Sequence, residues 1–129
     1  MEGPTVEFFE GVHEEISDVS LRRNRSTGVR SVQLTFNRLN SLERFKSYTK
    51  RFAQALRLTD EEGRIEVEPD SVQFVFGGDD GDDLVRVECR FEINRDDHWE
   101  RLMRFMTRYA EANGMEYGEP GKGGEGVKA

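Results

Sequence analysis

Residues 96–114 read DDHWERLMRFMTRYAEANG, and the spacing of their apolar positions decides the fold. Trp99, Leu102, Met103, Met106, Tyr109 and Ala110 recur at helical intervals and share one face. Asn94 or Asp96 can cap the start, acids fill the first turn, and Asn113-Gly114 provides the stop. Away from that face, Arg101, Arg104 and Arg108 form a basic ridge. Glu100 precedes Arg104 by one turn, a pair worth about a few tenths of a kcal/mol, so a solvated ridge is expected. Phe105 fits the apolar face poorly; a partner groove or the far side of a sheet would suit it.

Upstream of this helix the period is two. Residues 84–93 alternate as a strand through Val87, Cys89, Phe91 and Ile93, entered from the acidic turn GGDDGDD at 77–83. Residues 64–67 and 71–76 are two β runs broken at Pro69, which points to an edge or bulge. Residues 53–59 form another strand, closed by the turn Asp60-Glu61-Glu62-Gly63. In residues 29–36, Val32, Leu34 and Phe36 share one face, and the Ser26-Thr27-Gly28 turn before them suggests a hairpin with residues 19–23. Residues 5–9 are a short strand ended by Gly11. Residues 37–51 carry Leu39, Leu42, Phe45 and Tyr48 at threes, a short helix or structured loop that Ser41 is placed to cap. Several antiparallel strands followed by one long helix make a single α+β domain over 1–117, with 118–129 a loose, glycine-rich tail.

Composition narrows the function classes. The 129 residues carry 26 acids and 19 Lys and Arg, for a net charge of -7. The longest apolar run is a few residues, against about 20 for a membrane-spanning helix, so none is expected. Residues 1–19 carry no basic stretch followed by an apolar one, so no secretory leader is expected. A lone Cys89 excludes an intrachain disulfide and suits a reducing cytoplasm. Residues 20–51 sum to +8 and residues 60–100 to -11. Such blocks either build opposite faces or fold onto each other and cancel.

Catalytic and metal chemistry find little support. His13, His98 and Cys89 lack the paired spacing of a zinc site. GGDDGDD lacks the spaced ligands and closing Glu of a calcium loop. Gly123 stands where the GKGG of residues 121–124 would need Ser or Thr to serve as a P-loop. Cys89 sits in a core alternation. No catalytic residue, metal or cofactor is expected. Arg22, Arg23, Arg25 and Arg30 flank the hairpin turn, while Arg44, Lys46, Lys50 and Arg51 surround Phe45, Tyr48 and Phe52. Basic groups among aromatics also suit single-stranded RNA, which makes an RNA-binding module the alternative reading.

The helix resembles the C-terminal signature of the Psb28 family of photosystem II assembly factors. Trp99, Glu100, Arg101, Met103, Arg104, Phe105, Met106, Arg108 and Tyr109 match its Trp-Asp/Glu-Arg-Phe-Met-Arg-Phe-Met-x-Arg-Tyr run, with Leu102 where Phe is usual. LTDEEGRI at 58–65 is similar to its Asp-Glu-Glu-Gly turn, and Gly11-Val12, Asp18-Val19, Leu21, Arg23 and Arg25 follow its N-terminal pattern. Ile16-Ser17 replaces the family's Ile-Pro, and residues 37–56 and GGDDGDD differ from common members, which resembles the second, divergent cyanobacterial paralogue. The resemblance implies a curved antiparallel sheet, half-barrel or sandwich-like, packed on the helix. It implies a non-enzymatic factor, peripheral on the cytosolic or stromal face of the thylakoid membrane. Its partners would be immature photosystem II, at the chlorophyll-binding inner antenna protein and reaction-centre loops, whose segments extend the sheet. Binding would protect the quinone-acceptor side. On the residues themselves, docking is expected at the hairpin around Arg22, Arg23, Arg25 and Arg30 and at the strand of residues 29–36, with Lys50 and Arg51.

Overall fold

The computed structural model describes residues 3–47, 55–117 and 126–128. In chain order they form β1 (Thr5–Phe9), β2 (Val12–Glu14), β3 (Asp18–Arg23), β4 (Arg30–Phe36), α1 (Leu42–Ser47), β5 (Leu56–Asp60), β6 (Gly63–Val67), β7 (Ser71–Gly77), β8 (Asp83–Ile93), α2 (Asp96–Asn113), β9 (Glu116–Tyr117) and β10 (Gly126–Lys128). The strands pair in two antiparallel sheets, one ordered β2-β1-β5-β6 and the other β7-β8-β4-β3-β10-β9. Neither sheet closes. Bulges in β1 and between β7 and β8 bend their strands. The class is α+β with curved sheets, as expected from the strand run and its terminal helix.

One core joins the layers. Val6, Phe8, Leu56 and Leu58 enter it from the first sheet, and Val32, Leu34, Phe36, Val87, Cys89 and Phe91 from the second. Phe8 and Phe36 meet across the sheets at 5.5 Å between ring centroids. Residues 68–70 carry the chain from one sheet to the other. Pro69 therefore stands between two edge strands, β6 and β7, where a missing backbone donor does no harm.

Helix α2 contributes Leu102, Phe105, Met106, Tyr109 and Ala110 to the core. Phe105 is fully buried, which corrects its expected position outside the apolar face. The buried stripe is rotated toward it because α2 touches β5 of the first sheet and β8 of the second, so both flanks are covered. Trp99 and Met103 sit at the margin, partly buried. At the helix start the expected Asn94 or Asp96 cap is absent: Arg95 occupies the N-cap position without a side-chain hydrogen bond. The stop is as expected, with Gly114 in the left-handed region at φ 67.

Two further differences are local. Ser41 directly precedes α1, and its Oγ is turned to β2, donating to Glu14 Oε2 at 2.6 Å. Glu14, only 6% exposed, also accepts the backbone N–H groups of Asn40 and Ser41 at 2.7 and 2.9 Å, so a carboxylate from β2 fastens the approach to α1. Within the glycine-rich segment after the helix, Gly126–Lys128 pairs with β3 opposite Asp18, Val19 and Ser20.

Candidate interaction site

The expected basic ridge of α2 is committed to the protein's own acids. Arg101 makes two hydrogen bonds to Asp60, at 2.6 and 3.0 Å, and donates to the Gly63 carbonyl at 3.2 Å. Arg104 forks onto Glu62 at 2.8 and 3.0 Å. Arg108 reaches Asp60 at 2.8 Å and Glu62 at 2.7 Å. The β5–β6 turn presents these acids in a fixed array, since Asp60 Oδ1 also accepts the Glu62 N–H at 3.0 Å. The Asp60 side chain is 1% exposed. Its burial pushes the carboxyl pKa up, but the Arg101 and Arg108 guanidiniums outweigh that and bring it down to about 2. Arg104 and Arg108 hold Glu62 at about 2 as well. This cluster clamps the helix to the first sheet. It replaces the solvated ridge suggested by the helix alone, and the signal that could have found it is the Asp-Glu-Glu turn some forty residues upstream.

The hairpin β3–β4 behaves differently. Asn24 Oδ1 accepts the N–H groups of Ser26 and Thr27 at 2.9 and 3.1 Å, and Thr27 Oγ1 accepts that of Val29 at 3.2 Å. Gly28 takes φ 76, which only glycine adopts without strain. The turn is thus fixed by its own side chains. Arg30 ties the hairpin base to α2, with Nη2 2.7 Å from Asp96 Oδ1 and its guanidinium 5.2 Å from the Trp99 ring centroid. Arg22, Arg23 and Arg25 are exposed, and among the described residues none of them has an ion-pair or hydrogen-bond partner for its side chain. Of the residues expected to dock, Arg22 and Arg23 lie exposed at the end of β3, Arg25 lies exposed in the turn, and Arg30 has an internal role. Lys50 and Arg51 lie outside the described residues.

Sheet register separates the charged hairpins. Arg30 pairs with Ile93 at the end of β8, whereas Gly77 pairs with Asp83 at its start. The arginine hairpin and the acidic GGDDGDD hairpin therefore stand at opposite ends of the six-stranded sheet. The eleven residues of β8 lie between them, a span of about 30 Å. Part of the -11 segment folds onto α2 through Asp60 and Glu62, and part of it faces water in the β7–β8 turn.

Other candidate chemistry is sparse. An open groove of about 980 Å³ is lined by His13, Glu14, Ser17, Asp18, Arg38 and Tyr109, among others. The Tyr109 hydroxyl accepts the Ile16 N–H at 2.8 Å, and burial raises its pKa. Cys89 is buried, and that burial pushes its thiol up to about 12, far from a usable nucleophile. Among the described residues no three His, Cys, Asp or Glu side chains gather as a metal site.

A family model described as Psb28 protein matches residues 6–117. The chain is 32% identical over 113 residues to the photosystem II reaction center Psb28 protein of Guillardia theta, a match covering 87% of this chain and 92% of that one. It is 31% identical over 118 residues to the corresponding protein of Rippkaea orientalis, covering 91% and 96%. For that of Acaryochloris marina the identity is 30% over 113 residues, covering 87% and 94%. The chain belongs to the Psb28 family. The Psb28 match runs from β1 to β9 and takes in both the arginine clamp and the basic hairpin. In this chain the helix signature is largely structural: Phe105, Met106 and Tyr109 fill the core, and Arg101 and Arg104 hold the β5–β6 turn. Among the described residues no helix is long and apolar enough to cross a membrane.

Proposed function

We propose that this chain is a non-catalytic photosystem II assembly and repair factor. It docks peripherally on the cytosolic, or stromal, face of immature photosystem II, near the inner antenna protein and the reaction-centre loops. Family membership supports the photosystem, since the relatives are named photosystem II reaction center proteins. The observation that carries the docking surface is the fixed hairpin bearing Arg22, Arg23 and Arg25, whose side chains have no partner among the described residues. Charge presented on a preformed turn speeds and orients association, because little ordering remains to be done on binding. Lys50 and Arg51 extend the same basic segment of sequence.

The test is co-migration with chlorophyll-binding subcomplexes after mild solubilisation. The native chain is expected with an immature photosystem II fraction, and the Arg22→Glu/Arg23→Glu/Arg25→Glu variant is expected to be released from it. Recovery of the native chain only in the soluble fraction would sink the assignment. Release of neither chain would remove the hairpin from the interface and leave the assignment standing.

A further inference from the structure

We propose that the tip of the β3–β4 hairpin also binds anionic lipid headgroups directly, through Arg22, Arg23 and Arg25. This goes beyond the docking reading, because it requires no protein partner. Residues 24–28 at the tip are polar or glycine, and all are exposed. A charged lipid surface asks only for cations within reach of its headgroups. Single-stranded RNA adds a demand for aromatic stacking, and residues 22–29 contain no aromatic side chain.

The surrounding charges favour one orientation. Some acids near the basic end are partly neutralised, Asp96 by Arg30 and Asp97 by Arg95, while Asp70, Glu92 and Glu100 are exposed carboxylates toward that end. Asp79, Asp80, Asp82 and Asp83 stand at the far end of the sheet. An anionic surface therefore attracts the arginine tip and repels the opposite hairpin. Guanidinium groups pair with phosphate oxygens through two parallel N–H donors, which suits a phospholipid headgroup.

Flotation of the full chain with lipid vesicles tests this. The vesicles are pure phosphatidylcholine, or phosphatidylcholine with about one-third phosphatidylglycerol. The native chain is expected to float only with the anionic vesicles, and less as salt rises. Each arginine contributes about fivefold, so Arg22→Gln/Arg23→Gln/Arg25→Gln should lose about a hundredfold in partition coefficient. Arg64→Gln, an exposed arginine on the other sheet, serves as the charge control and should float like the native chain. Unchanged thermal melting establishes that the triple variant is folded. Equal flotation on both vesicles, native-like flotation of the triple variant, or equal loss in Arg64→Gln would overturn the proposal. So would binding of oligouridylate without flotation. Vesicle binding involves no photosystem, so its failure is distinct from failure of co-migration.

Discussion

Asp60 links β5 to α2, and its environment makes its removal costly. Both carboxylate oxygens are taken by arginines whose remaining surface is 20% and 27% exposed. Asp60→Asn leaves Arg101 and Arg108 facing a neutral amide. Breaking a buried pair costs about 3–5 kcal/mol, and the partial exposure of the guanidiniums lowers the expectation to about 2–3 kcal/mol, read from the shift in urea midpoint. The same site gives an acid dependence. The Asp60 and Glu62 pKa values fall from 3.8 and 4.5 to about 2. A carboxyl lowered on folding stabilises the native chain fully above its unfolded value, and that stability is lost as pH falls through the folded one. Urea midpoints should hold steady above about pH 4.5 and drop between about 4.5 and 2, with a shallower drop in Asp60→Asn. An equally steep drop in the variant would remove Asp60 as a source of the dependence.

Within the elements, what could be read from sequence was local. The strands at 5–9, 29–36 and 84–93 announce themselves by alternation, and the turns at 26–28, 60–63 and 77–83 by their chemistry. The division of strands between two sheets could not be read, because it depends on where the chain crosses at residues 68–70 and on pairings such as β1 with β5, fifty residues apart. The burial of Phe105 escapes the sequence pattern for a related reason: a helical period finds one stripe, but its width depends on whether one or two sheets cover the helix. With both flanks packed, Phe105 lies 5.9 Å from Tyr109 between ring centroids and is fully buried. Phe105→Ala should cost about 3–5 kcal/mol by thermal or urea unfolding, and Phe105→Leu about 1 kcal/mol. An alanine variant as stable as the native chain would contradict this placement. Glu14 illustrates the third kind of miss, a polar residue whose partners are 26 and 27 positions away. Glu14→Gln leaves one acceptor oxygen where the carboxylate had two, and should cost about 1–3 kcal/mol. Protease cleavage near α1 should rise at the same time. The docking residues fall between these cases. Arg22, Arg23 and Arg25 were visible as a basic cluster, but only the structure separates them from Arg30, which Asp96 and Trp99 engage.

For the whole molecule, the net charge of -7 conceals an arrangement in which the two charged hairpins stand at opposite ends of one sheet. Their separation of about 30 Å exceeds the Debye length of about 8 Å at physiological ionic strength, but equals its value of about 30 Å at 0.01 M. The acidic hairpin should therefore influence an encounter at the basic end only when salt is low. Asp79→Asn/Asp80→Asn/Asp82→Asn reduces the net charge from -7 to -4 without touching the arginines. These aspartates are exposed and have no side-chain partner among the described residues, so stability should stay within about 0.5 kcal/mol of native. At physiological salt, binding to an anionic surface should match that of the native chain. At about 0.01 M salt the variant should bind more tightly, because repulsion from its far end has been reduced. The comparison is made by flotation on the same phosphatidylglycerol vesicles at both salt concentrations. Stronger binding by the variant at physiological salt would mean that the acidic hairpin lies within a Debye length of the surface, and the bound molecule would then lie flat along its sheet instead of standing on the arginine tip.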